Sequence, residues 1–388
     1  MKKKTRLIAL LTALVMLMVV MSGCASNTKP TGANNTYEKA TVRLAVHSNE
    51  GSALTAIGLE KGIFEKYGID VKLEIVESGP PEMAAMRADN RTLDIGYIGP
   101  GVSWNAIDST GNQLSFVFFD FLGNSERLLA RDGVFTDANN DGTYDLEELY
   151  QGLKGQKIYL EVGTTPGIWL MNFINTINDG RPDEEKLWMQ CDVESYLAEY
   201  VAPNTDEANK LTVVNYNNAN IPAGMSTSSA DRVDIAVAFS PATTAAVSSN
   251  SDVSIVADST ILPASKATTG VWVASNDWIE ENPEVAQRVI NALYESAVYR
   301  TEHLDEAIAA GEKLCQKPDG SFSADVVRSI SAAEYKDWFE KEDGIGWTYM
   351  RALYDSKVGS VPEGSTPKTF EESVNFTFFL NAIANIAG

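Results

Sequence analysis

TVRLAVHSNEGSALTAIGLEKGIFEKYGIDVKLEIVESGPPEMAAMRADNRTLDIGYIGP, residues 41–100, decides the fold. Val42–Val46 is an apolar run of strand length, and Ser52 to Tyr67 reads as a helix that stops at Gly68, a favoured C-cap residue. Val71–Val76 alternates apolar and polar residues, the period of a strand. A short helix is expected from Pro81 to Asp89. Leu93–Ile98 is a third strand, a helix follows Pro100, and Leu114–Phe119 is a fourth strand. Strand alternating with helix predicts a parallel sheet with helices on both faces.

The pattern recurs downstream. Lys157–Val162, Leu211–Tyr216, Asp234–Phe239 and Val253–Ala257 read as four more strands with helical stretches between them. Arg127–Arg131 and Val271–Ala274 lie where each set begins or ends, and so are expected to carry the chain between two lobes. Everything after Asn276 reads as helical. Asn282-Pro283 offers an N-cap and first helical residue, and Ser331 with Glu334 and Thr369 with Glu372 fit capping boxes. The predicted fold class is α/β: two doubly wound lobes joined by two hinge crossings. Lobe one spans 41–124 plus 268–388 and lobe two spans 127–266. Paired crossings hold two lobes in register while allowing them to close.

Upstream, Lys2, Lys3, Lys4 and Arg6 precede an apolar run from Leu7 to Met21, broken by Thr12. The run is shorter than the ~20 residues of a membrane-spanning helix and reads as a secretory signal over residues 1–23. Met21-Ser22-Gly23-Cys24 resembles a bacterial lipobox, in which Cys24 is lipidated and starts the mature chain. Residues 24–40 are polar and read as a flexible tether. The expected location is extracytoplasmic, lipid-anchored to the bacterial cell membrane.

The chain carries 31 basic and 53 acidic residues, a formal net charge of −22. That balance argues against nucleic acid and anionic lipid heads as partners, because their phosphates need a basic face. Besides Cys24 there are Cys191 and Cys315, without metal-type spacing; an oxidising compartment permits a disulfide between them, and their expected placement in different lobes favours a free, buried pair.

Five strand ends share one local chemistry: a small or hydroxyl-bearing residue precedes a proline that starts a helix. They are Ser78-Gly79-Pro80-Pro81, Gly99-Pro100, Gly163-Thr164-Thr165-Pro166, Asn217 to Pro222, and Ser240-Pro241. Proline suits the first helical position, and Ser, Thr and Asn cap free donors. In a parallel sheet these junctions lie at the carboxyl ends of strands, where ligands bind. Helix N-termini facing one cleft would hold an anionic group without Arg or Lys. Ser78, Gly79, Gly99, Pro100, Thr164, Thr165, Asn217 and Ser240 are therefore candidate ligand residues. His47, Ser48 and Asn49, after the first strand, should reach the same cleft, and Trp169 and Phe239 could supply its apolar walls.

These residues carry a family resemblance. Val42–Val46, Gly62 to Val71, and Leu93-Asp94-Ile95-Gly96 resemble the opening of solute-binding proteins for nitrate, taurine and aliphatic sulfonates. Gly152 to Ile158 with the following Gly-Thr-Thr, and Asp231 to Val237, are similar to segments of their second lobe. The resemblance covers about 41–275. It implies a type II periplasmic-binding fold, a small-molecule solute delivered to an ABC permease, and Ser48, Ser78, Gly79, Gly99, Pro100, Thr164, Thr165 and Phe239 at the ligand. Many relatives have Trp, then Glu or Asp, then Pro where this chain has Phe239-Ser240-Pro241. The missing carboxylate removes a partner for a ligand amine.

Asp137 to Glu148 matches the calcium-loop pattern D-x-[DN]-x-[DN]-G-x₅-E. Asp137, Asn139, Asp141, Thr143, Asp145 and Glu148 would be the ligands, with Gly142 at the sharp turn. No incoming helix is expected, so this is an isolated loop at the start of lobe two with a structural calcium. No organic cofactor is indicated. The chain holds only His47 and His303 as histidines and shows no G-x-S-x-G, H-E-x-x-H or phosphate-loop motif, which points away from an enzyme. The expectation is a monomeric binding protein for an anionic organic solute. The alternatives are capture of a thiamine pyrimidine precursor or other heteroaromatic, a ligand-sensing subunit, or an enzyme on the same fold.

Overall fold

The structure is a computed structural model that describes residues 37–77, 79–99, 114–192, 206–228, 232–262, 269–358 and 368–386. The signal segment, Cys24, Ser78, Pro100 and the helix expected after it lie outside the described residues.

Two six-stranded sheets form the frame. In chain order the strands are β1 (Ala40–His47), β2 (Ile69–Val76), β3 (Ile95–Ile98), β4 (Leu114–Gly123), β5 (Arg127–Arg131) and β6 (Lys157–Leu160). Then come β7 (Trp188–Cys191), β8 (Lys210–Asn215), β9 (Ile235–Ala238), β10 (Val253–Asp258), β11 (Thr269–Ser275) and β12 (Val327–Arg328). The first sheet has the order β12-β4-β11-β3-β1-β2 and the second β10-β5-β9-β6-β8-β7.

Both sheets are mixed, not purely parallel as expected. β1 pairs in parallel with β2 and β3, as does β6 with β8 and β9. β5 runs antiparallel to β9 and β10, and β11 antiparallel to β3 and β4. The cause is the crossings. β5 arrives straight from β4 without a crossover helix, so it enters the second sheet at the carboxyl end of β9, pairing Arg127 with Ala238. β11 enters the first sheet at the carboxyl end of β3 in the same way. The crossings therefore form the floor of the gap between the sheets.

Other departures are local. The helix expected over Ser52 to Tyr67 is two helices, Ser52–Glu60 and Ile63–Lys66, because Gly62 takes a left-handed φ of 69°. β7 and β12 are additional strands, and β12 interrupts the tail expected to be all helix. Asn282 precedes the helix Pro283–Glu302 without a side-chain cap; its amide donates instead to the Trp278 carbonyl. Both expected capping boxes are present, at Ser331/Glu334 and Thr369/Glu372.

Each sheet is packed on both faces. In lobe two, Trp169, Leu170 and Phe173 of the helix Thr165–Asn178 cover one face, and Ile221, Met225 and Ala246 cover the other. Lobe one has a larger core in which Phe118, Tyr335 and Phe379 meet edge to face or tilted. That core also buries an ion pair completely: Arg300 Nη2 donates to Asp120 Oδ1 at 2.8 Å, both side chains 0% exposed. Such a pair specifies geometry more than it adds stability, because desolvation offsets much of its Coulombic gain.

Candidate functional site

The site begins where β1 ends. Asn49 Oδ1 accepts from the Gly51 amide at 3.0 Å, and Ser52 Oγ donates to the Asn49 carbonyl at 2.7 Å. This tight turn swings Glu50 inward until the residue is 1% exposed. Gly51 is required by contact: a Cβ there would lie 2.1 Å from the ring of Tyr97, which β3 presents. His47 Nε2 lies 2.9 Å from Oε2 of Glu82, itself buried, and the Glu82 carboxylate rests against the bare Cα of Gly96 on β3.

The hinge crossings supply Gly123, Ser125, Glu126, Thr269 and Gly270, and Val326 joins from the tail. Lobe two supplies Thr164, Thr165 and Phe239. These groups enclose an inner chamber of about 60 Å³, room for a few water-sized groups. His47, Asn49 and Phe239 also line a larger outer vestibule of about 510 Å³, together with Ser48, Glu77, Glu161, Asn217, Lys317 and Asp319.

The lobes touch through polar contacts. Ser240 Oγ, from lobe two, donates to Glu50 Oε1 at 2.5 Å, and the Ser323 amide donates to the same oxygen at 3.0 Å. Thr165 Oγ1 donates to Glu126 Oε1 at 2.5 Å. Gly99 sits so close to lobe two that a Cβ on it would lie 2.8 Å from Thr165 Cγ2. The cleft is thus seen in a closed arrangement.

Burial pushes the Glu50 carboxyl up from its ordinary range, partly opposed by the Ser240 and Ser323 hydrogen bonds and by the charge of Arg127. Burial raises Glu82 too, opposed by the bond and charge of His47. The Tyr97 hydroxyl is held well above its usual value, first by burial and then by the carboxylates of Asp120, Glu126 and Glu50. Thr269 Oγ1 in the chamber is buried and has no hydrogen-bond partner among the described residues.

The structure sorts the sequence candidates. His47, Asn49, Gly79, Gly99, Thr164, Thr165 and Phe239 line the chamber; Ser48 and Asn217 line the vestibule. Ser240 is fully buried behind the chamber, bonded to Glu50. Trp169 is a correction: it is 0% exposed, stacks on Phe173 with centroids 4.8 Å apart, and donates to Ser259 Oγ. The capping idea also changes. Asn217 caps its short helix, but Thr164 Oγ1 turns back to the Glu161 carbonyl, and Thr165 and Ser240 turn to glutamates. Sequence reasoning missed Glu50, Glu126, Tyr97 and Thr269. Glu50 directly follows the three residues chosen after β1, which was the available signal. Cys191 and Cys315 are free, as expected, but half-buried instead of buried.

The loop 137–148 folds on itself. Asp137 accepts from the amides of Asp141 and Gly142, and Asp141 from that of Thr143. Glu148 accepts from Ala138 and Asn139, and with Asp145 it closes a capping box on the helix Leu146–Leu153. Among the described residues no group of three or more His, Cys, Asp or Glu converges as a metal site. Calcium at Asp137, Asn139, Asp141, Thr143, Asp145 and Glu148 is thus a proposal resting on the sequence pattern.

No family model matches the chain. A Brucella abortus protein named "Putative binding protein" is 25% identical over 330 residues, 84% of this chain and 88% of its own. The periplasmic nitrate-binding protein of Synechocystis PCC 6803 superposes with a TM-score of 0.62, at 14% identity and covering 90% of each chain. The periplasmic aliphatic sulphonate binding protein of Escherichia coli gives 0.58, at 14% identity over 86% of this chain and 92% of its own. At this identity the structural likeness concerns fold. The chain has the two-lobed α/β fold of these periplasmic binding proteins, and the relatives are binding proteins.

Proposed function

We propose that this chain is an extracytoplasmic solute-binding lipoprotein, held to the membrane by a lipid on Cys24, that delivers a small organic solute to an ABC permease. The observation that carries the reading is the cleft. Strand ends and both hinge crossings meet around one chamber, and a hydrogen bond from Ser240 to Glu50 spans the lobes. The names of the matched proteins point the same way. Among the described residues no helix is long and apolar enough to cross a membrane; in this reading the anchor is the lipid on Cys24.

The anionic solute expected from the helix starts finds little support in the geometry. The Thr165 and Ser240 hydroxyls that would receive an anion each donate to a glutamate of the protein itself. A heteroaromatic solute with several N–H donors is the second reading, favoured by the Tyr97 and Phe239 walls beside two carboxylates. The test is capture. Small-molecule fractions of growth medium should raise the melting temperature. Failure of every fraction to do so would sink the assignment.

A further inference from the structure

Carboxylates dominate the charge of the chamber walls, and the imidazole of His47 is bound to the buried Glu82. Among the chamber's described lining residues are the carboxylates Glu50 and Glu126, and neither Lys nor Arg. Arg127, whose charge partly opposes the rise of the Glu50 carboxyl, is 6% exposed and pairs with the exposed Asp325. The vestibule continues the field, with Glu77, Glu161 and Asp319 against Lys317. Low-dielectric walls of one sign concentrate oppositely charged solutes at the mouth.

Donor and acceptor accounting agrees. The hydroxyls of Thr165 and Ser240 are spent on Glu126 and Glu50. Among the described residues the chamber also leaves Thr269 Oγ1 without a partner, in a residue 5% exposed. A buried polar group without a partner costs about 1–3 kcal/mol, which a bound hydrogen-bonding group, donor or acceptor, would relieve. A ligand anion here would face two carboxylates with no Lys or Arg among the described lining residues and with His47 bound to Glu82, whereas a cation would meet carboxylates able to pair with it.

We infer that the solute carries a protonated, multi-donor head group, an ammonium, amidinium or guanidinium, which enters the chamber between Glu50 and Glu126 while its body lies past Phe239 in the vestibule. The inference rests on the solute-binding reading above and adds the chemical class of the solute. The sizes fit: about 60 Å³ inside holds a compact head, and about 510 Å³ outside holds the remainder. Tyr97 and Phe239 add aromatic surface to the chamber lining.

The test uses three probes with one tail: butylguanidinium, butylammonium and butanesulfonate, titrated calorimetrically into the protein. Butylguanidinium should bind, with butanesulfonate weaker by at least about 30-fold. Glu50→Gln and Glu126→Gln should each weaken the cation by about 10-fold or more, and circular dichroism and melting should show both variants folded. Should Glu50→Gln misfold, Glu50→Asp keeps the charge, and it should retain more cation affinity than Glu126→Gln. Tighter binding of butanesulfonate overturns the cationic head while leaving solute capture standing. Cation binding untouched by both Gln variants, or absent at about 10 mM, overturns it also. Silence from all three probes together with no stabilisation by any growth-medium fraction overturns solute capture itself.

Discussion

The two faces of the cleft are built from opposite materials. Lobe two brings hydroxyls and helix starts: Thr164, Thr165 and Ser240. Lobe one brings buried ionisable groups: His47, Glu50 and Glu82, with Asp120 and Arg300 in the core beneath. Lobe two alone reads as a cradle for an anion. Joined to lobe one and the hinge, its donors find protein carboxylates before any ligand arrives. A binding preference read from one half of a cleft can thus reverse when the other half closes on it.

The largest break in this contrast should come from the buried charge of lobe one. Arg300→Met leaves Asp120 without its partner in the core and should cost about 3–5 kcal/mol in denaturant unfolding. A loss below about 1 kcal/mol would mean that Asp120 sheds its charge at little cost. Next is the contact between the faces. Ser240→Ala removes a donor from a buried carboxyl and should cost about 1–3 kcal/mol, with a larger radius of gyration for the ligand-free protein. An unchanged radius would show that the lobes stay together by other means. The loop of lobe two is tested by calcium: at about ten times its dissociation constant the ion should add about 1.4 kcal/mol, and Glu148→Gln should erase the gain. Chelated protein that melts the same with and without added calcium refutes the proposal.

The smallest effect expected is that of pH. Glu50, Glu82 and Asp120 have carboxyls raised by burial, so the folded state takes up protons before the unfolded chain does. Their stabilisation is complete below the ordinary carboxylate range and is lost as pH rises through the raised folded values. Melting temperature of the ligand-free protein should therefore climb modestly as pH falls from 8 toward 5.5. Glu50→Gln should flatten that slope, and a steeper slope in the variant would contradict the assigned direction.

Most of the frame was legible because strand and helix periods are local. β1, β5 and β8 fall within two residues of their expected positions. β7 escaped notice because four residues are too few to show a period, and β12 because its two residues exist only by pairing with the end of β4. Strand direction at the crossings is a property of chain path, which residue pattern does not encode. In the site, hydroxyls and glycines at strand ends were readable, since turn chemistry is local too. Glu50 and Glu126 were not: a glutamate in a loop looks solvated until distant segments bury it. Trp169 failed for the opposite reason. Its closeness in sequence to Thr165 said nothing about which side of the helix it occupies.

Glu50 Oε1 takes hydrogen bonds from Ser240 and from Ser323, so one atom ties the start of the chain, its middle and its tail into a single knot. Whatever disturbs the packing around Ser323 will be felt at the latch, far along the chain from either face of the gap. Loss of the Ser323 amide donor alone would leave the clasp with half its fastening. Variants in this unassuming tail are therefore a practical handle for tuning how readily the molecule shuts.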